Sequence, residues 1–266
     1  MKTGFIGLGV QGKYLAINQA RAGYDLMAYD VRTEPLEELA AAGAKIAESS
    51  REVGQHSEVV QVCVLDDAQV ERVMFGSDGV LAGAAAGTIV VIHSTVRPST
   101  IAKVADAAVK QGIEVIDAAV SGSEGGARAK TMSYMVGSSE AAFAKCRPLF
   151  ETSGTKIVRT GGPGTGIRAK IAHQLIICVN LLAAHEGMLL GVKAGLDAQT
   201  LEAVVRDGMA QSRVAEAWSR IRTLMGPHAR AVFYKDLQVC LEYGHELGLS
   251  LPGAALTQQL LDELVP

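Results

Sequence analysis

The chain has 266 residues, 48% hydrophobic and 20% charged, with 25 Lys and Arg against 28 Asp and Glu. That length and a mean hydropathy of +0.21 predict one large or two small folded domains and exclude a disordered or fibrous chain. A formal charge of −3 and 5% aromatics argue against a nucleic-acid binder held by a general basic surface or by base stacking.

In chain order, apolar runs at Thr3–Gly7, Asp25–Tyr29, Val59–Leu65, Thr88–His93, Glu114–Asp117, Met132–Val136 and Lys156–Arg159 alternate with helix-like segments. Among those segments are Lys13–Ala22, Glu34–Ala42, Ala68–Phe75 and Ser99–Gln111. Runs apolar throughout suit parallel strands covered on both faces, and the alternation predicts a doubly wound α/β sheet of the Rossmann type. The texture changes at Gly161-Gly162-Pro163-Gly164. We therefore expect a dinucleotide-binding domain over 1–161 and an all-α domain for substrate and oligomerisation over 162–266. Ile167 to about Ala194 reads as one long helix joining the two. Further helices are expected near Ala198–Met209, Ser212–Met225, His228–Leu247 and Ala254–Leu264.

Cys63, Cys146, Cys178 and Cys240 lie far apart without a C-x-x-C pair. A reduced intracellular protein is expected, with no bound metal and no disulfide scaffold. The opening residues reach glycine too soon for a signal peptide. Gln174–Val192 is the most membrane-like stretch, but it contains Asn180, His185 and Glu186, so it reads as a buried soluble helix. The expected location is cytoplasmic, with neither membrane nor nucleic acid as partner.

Gly7-Leu8-Gly9-Val10-Gln11-Gly12 is a G-x-G-x-x-G that follows the first strand run and opens a helix, and Asp30 ends the second run 23 positions past Gly7. In that context glycines let a pyrophosphate approach a helix N-terminus and the acid holds ribose hydroxyls; the alternative is a tight turn without a ligand. Asp30 favours NAD because its carboxylate repels a 2′-phosphate, whereas Arg32 would suit NADP. Asp117 to Ala127 combines two hydroxyls, Ser121 and Ser123, with small residues ahead of a helix start. It suits either a carboxylate site or a serine-capped helix.

Lys170 enters the long helix with His173 and Gln174 at i+3 and i+4, all on one face. Burial would lower its amine from about 10.4 toward a working pH, fitting it for proton transfer; a solvent-facing lysine at the hinge is the alternative. Lys235-Asp236 reads as an exposed ion pair.

Taken together, these stretches resemble the β-hydroxyacid dehydrogenase family, which includes 3-hydroxyisobutyrate dehydrogenase and tartronate semialdehyde reductase. The opening glycines match Gly7, Gly9 and Gly12, and the Ser-Thr pair matches Ser94-Thr95. The substrate motif matches Asp117, Ala118, Val120, Ser121, Gly122, Gly126 and Ala127. The catalytic G-x-G-x-x-x-K matches Gly164, Gly166 and Lys170, and the late K-D-L matches Lys235-Asp236-Leu237. The resemblance implies a Rossmann domain, a helical domain with the active site in the cleft between them, and a homodimer or homotetramer. Departures include Ala119 for proline, Ser123 for the second glycine, Lys130 where glycine is usual, and His173 and Gln174 where asparagine is frequent.

The expected function is NAD(P)-dependent hydride transfer with a small carboxylate-bearing 3-hydroxy acid or its semialdehyde. Lys170 is the expected general acid/base, aided by Gln174 and His173. Ser121, Gly122, Ser123, Lys170 and Gln174 would bind substrate. The cofactor, NAD or NADP, would lie on Gly7, Gly9, Val10, Gln11, Gly12, Asp30, Val31, Arg32, Leu65, Asp66, Ser94, Thr95 and Lys235. An imine reductase and a catalytically silent nicotinamide-binding protein are the rival readings.

Overall fold

The computed structural model describes residues 1–216, 218 and 226–265 and divides into two compact units, Met1–Lys170 and Ile171–Pro266. The first unit alternates strand and helix: β1 (Lys2–Ile6), α1 (Gly12–Arg21), β2 (Asp25–Tyr29), α2 (Thr33–Ala41), β3 (Lys45–Ile46), α3 (Ser50–His56), β4 (Val59–Val62), α4 (Asp67–Met74), α5 (Val80–Gly83) and β5 (Ile89–Ile92). It continues through α6 (Pro98–Ala108), β6 (Glu114–Ser121), α7 (Ser123–Ala129), β7 (Met132–Gly137), α8 (Glu140–Glu151), β8 (Gly154–Gly161) and the first turns of α9 (Thr165–Lys193).

The eight strands form one sheet in the order β3-β2-β1-β4-β5-β6-β7-β8. Strands β4 and β5 are buried at every position, Gln61 on β4 included, as strands covered on both faces are. The order reverses between β1 and β4, and the carboxyl ends of that pair are where such sheets bind ligands.

One expectation needs correcting: β7 runs antiparallel to β6, while the other pairs are parallel. Only 122–131 connect β6 to β7, too few residues for a crossover, which needs a dozen or more. The longer stretch 138–153 carries α8 and returns β8 parallel.

Inside the first unit the His93 ring packs between Phe5, Tyr134 and Phe150, with centroids about 6 Å away. Its Nδ1 donates to the Ala118 carbonyl at 2.7 Å and its Nε2 meets the Gln61 amide at 3.1 Å. Gln61 and Gln19 exchange a reciprocal amide pair at 2.7 and 2.9 Å. Burial pushes the imidazole down to about 4, so it is neutral at pH 7.

The second unit holds the rest of α9, α10 (Ala198–Asp207), α11 (Pro227–Glu246), α12 (Pro252–Gln259) and α13 (Leu261–Leu264), and no strand among the described residues. The expected helix at 254–264 is two helices, and α10 stops two residues early. Of the expected Ser212–Met225, 213–216 form a turn, and 217 and 219–225 lie outside the described residues. Along α9 the buried positions from Ile167 onward are Ile167, Lys170, Ile171, Gln174, Cys178, Leu181, Leu182, His185 and Met188, a stripe at helical spacing. Length and composition would let α9 cross a membrane. Its buried stripe carries the polar residues Lys170, Gln174 and His185.

Candidate active site

The turn from β1 to α1 is built from its glycines. Gly7 has φ +91°, and a Cβ there would lie 2.4 Å from the Cys63 carbonyl. A Cβ on Gly12 would lie 2.2 Å from Gly7 O, so this glycine lets α1 close onto the strand. A Cβ on Gly9 would meet nothing within 4 Å: that glycine faces open space. No side chain caps α1 and no acid occupies its first turn, and the buried Gln11 Oε1 has no hydrogen-bond partner among the described residues. An uncapped helix N-terminus beside an open glycine fits a pyrophosphate.

Asp30, just past β2, accepts from Leu8 N at 2.6 Å through Oδ2 and from Arg32 N and Nε at 2.9 and 3.0 Å through Oδ1. Arg32 also donates to the Leu8 carbonyl at 2.9 Å. Burial works to raise the Asp30 carboxyl, but Arg32 and the backbone N–H groups overcome it and hold it below the usual range. Asp30 is therefore an anion tied directly to the glycine turn. Val10, Val31 and Leu65 are exposed. Asp66 caps α4 by accepting from Gln69 N at 2.8 Å, and Ser94 Oγ accepts from Val64 N at 2.9 Å.

Strand β6 carries the other half of the unit's chemistry. Lys170 is 6% exposed, and its Nζ donates to the Val120 carbonyl at 2.8 Å. The next residues are Ser121, Gly122 and Ser123, the turn into α7. No side chain caps α7, so the serine-capped reading of this loop does not hold. Asp117 accepts from Gly164 N and Ile167 N, each at 2.6 Å. Burial pushes its carboxyl up, while those N–H groups pull it back.

Comparison with known proteins identifies the family. Residues 2–162 match the family described as the NAD binding domain of 6-phosphogluconate dehydrogenase. Residues 164–265 match the NAD-binding family of NADP-dependent 3-hydroxyisobutyrate dehydrogenase. The chain is 37% identical over 265 residues to 2-hydroxy-3-oxopropionate reductase of Escherichia coli (strain K12), spanning 98% of this chain and 90% of that one. It is 32% identical to 3-hydroxyisobutyrate dehydrogenase of Pseudomonas aeruginosa, over 96% and 89%.

The chain belongs to the β-hydroxyacid dehydrogenase family. Mycobacterium tuberculosis 3-hydroxyisobutyrate dehydrogenase, solved with L-serine, superposes with a TM-score of 0.88 at 25% identity, over 98% of this chain and 92% of that one. A Streptomyces aurantiacus imine reductase reaches 0.71 at 18% identity, over 99% and 94%, a likeness of fold alone.

Two departures from the family pattern now have a physical meaning. Ser123 and Lys130, where the family usually has glycine, are the non-glycine residues with positive φ among the described residues, at 56° and 59°. Both hold the backbone a glycine would adopt more easily. They bracket α7, directly after the loop that Val120 leads into.

In the second unit, Gln174 lies on the buried stripe of α9 and donates to Asp236 Oδ2 at 2.5 Å, with His173 Nδ1 3.3 Å from Gln174 Oε1. The Lys235–Asp236 pair corrects an expectation. Its contact is 2.8 Å, but Asp236 is only 3% exposed, so this is no surface ion pair. Sequence reasoning did not single out Asp236 as the buried partner of Gln174. The signal it lacked was the amide one turn beyond Lys170, which needs a buried acceptor.

Proposed function

We propose that this β-hydroxyacid dehydrogenase interconverts a small 3-hydroxy acid and its semialdehyde, preferring NAD, with Lys170 as general acid and base. The supporting observation is the Lys170 amine, buried and held at 2.8 Å by the Val120 carbonyl, one residue before Ser121. A lysine withdrawn from water beside a loop of small and hydroxyl residues can exchange a proton without a competing solvent shell.

The nicotinamide, when bound, supplies or takes up the hydride. Gly7, Gly9 and Gly12, with Val10 and Gln11, would hold the pyrophosphate, and Asp30 the adenosine ribose. Val31, Arg32, Leu65 and Asp66 would flank that nucleotide, with Ser94, Thr95 and Lys235 toward its nicotinamide end. In reduction Lys170 Nζ gives a proton to the substrate oxygen, and in oxidation it takes one back. Gln174 hydrogen-bonds that oxygen, steadied by Asp236, with His173 beside it. Ser121, Gly122 and Ser123 hold the carboxylate and fix the carbonyl's orientation. The NAD preference rests on the ionised Asp30, which repels a 2′-phosphate. The enzyme is proposed to work in the cytoplasm as a homodimer or homotetramer.

The test follows absorbance of the reduced cofactor, with NAD and NADP in turn, across 3-hydroxy acids, semialdehydes and cyclic imines. Turnover of hydroxy acids with NAD supports the reading. Turnover of imines alone overturns it, and a large NADP preference overturns the role given to Asp30.

A further inference from the structure

Asp117 is 1% exposed, too deep to meet a substrate, and its oxygens accept the N–H groups of Gly164 and Ile167 at 2.6 Å each. Those donors straddle the start of α9, so the carboxylate plugs the positive end of a 29-residue helix. The seat is made by glycines. A Cβ on Gly137, Asp117's partner on β7, would lie 2.5 Å from Asp117 Oδ1 and 2.7 Å from Gly166 N. A Cβ on Gly166 would lie 2.5 Å from Met135 O and 2.7 Å from Asp117 O. The first turn of α9 therefore rests directly on the β6–β7 pair.

Three residues further along each element, Val120 O receives Lys170 Nζ at 2.8 Å. One strand thus holds the helix twice: Asp117 fixes the backbone from which Lys170 springs, and Val120 fixes the tip of its side chain. A helix start without such an anchor frays, and the amine would move with it.

We infer that Asp117 is a positioning residue that sets the Lys170 amine for proton transfer by anchoring the start of α9 on β6. The inference rests on the reading of Lys170 as the acid/base. Asp117→Asn keeps the shape but turns one acceptor into a donor facing an N–H group. Misplacing a reacting group by about 1 Å can lower turnover by about a hundredfold. Asp117→Asn is accordingly expected to lower kcat roughly 10- to 100-fold, with the cofactor Kd changed less than about twofold. Backbone amide exchange at 164–170 should quicken.

The deciding measurement is the double variant with Lys170→Ala. If Asp117 acts through Lys170, Asp117→Asn costs no further activity in the Lys170→Ala background. Equal losses in both backgrounds, or full activity in Asp117→Asn beside an impaired Lys170→Ala, overturn the inference alone. Full activity in Lys170→Ala overturns the reading of Lys170 and the inference with it. If Asp117→Asn does not fold, Gly137→Ala wedges the same contact with Asp117 intact. It must lower kcat in the same way, and a folded Gly137→Ala with normal kcat overturns the inference.

Discussion

Two helices of the first unit begin in opposite ways. The N-terminus of α1 has no side-chain cap and faces a glycine whose Cβ position is open. The N-terminus of α9 is filled by the protein's own carboxylate, Asp117. Both ends carry the same partial positive charge from aligned peptide dipoles. In the proposed enzyme the difference divides their tasks: the unfilled end can take an anion from outside, while the filled end is a fixed base for the lysine one turn later. Elsewhere in the same unit, Gln19 and Gln61 pair through their amides, and the buried His93 donates to the Ala118 carbonyl beside Asp117.

The largest effect that could break this division is at Lys170. Lys170→Ala should lower turnover by about two to four powers of ten, the usual contribution of a general acid/base. Cofactor affinity, measured by fluorescence titration, should hardly change; a matching loss of affinity would mean that the two ends do not divide binding from chemistry.

Acid should attack the unit that carries both ends, at His93. The folded His93 titrates at about 4 and an unfolded histidine near 6.5, so as pH falls the unfolded chain takes up the proton first. Stability is therefore complete above about pH 6.5 and is lost as pH falls toward 4, by roughly 3 kcal/mol. Urea titrations across that range would show it, and a His93→Gln variant should lose that part of the slope.

Gly9→Ala isolates the open end. The added methyl meets no protein atom, so stability should stay within about 0.5 kcal/mol. Cofactor Kd should rise about tenfold, or 1.4 kcal/mol. Unchanged Kd would move the pyrophosphate elsewhere. The smallest effect belongs to the strained residue after α7. Lys130→Gly relieves a left-handed backbone at φ 59° and should raise stability by about 1 kcal/mol in thermal denaturation, leaving cofactor affinity untouched.

Much of the chain was legible where its signals are local. The glycine turn, Asp30 at the end of β2 and the spacing of Lys170 with Gln174 depend on neighbours within a few residues or one helical turn. The antiparallel β7 was harder to see, because an apolar run looks the same whichever way it pairs. Between β7 and β8, Pro148 sits inside α8 and masks it from a reading that treats proline as a breaker. Asp117 and Asp236 were the least legible. One lies in an apolar strand, the other beside a lysine, and each takes its meaning from a partner about 50 or 60 residues away.

By itself the order of residues determined the alternation of strand and helix, the phosphate-sized turn and the presence of a lysine on an apolar helical stripe, since periodicity and glycine placement act over short range. Which carboxylates are buried, which helix end stays open, and where the Lys170 amine comes to rest were decided only by tertiary structure. Burial and hydrogen bonding belong to pairs of groups that the chain brings together by folding.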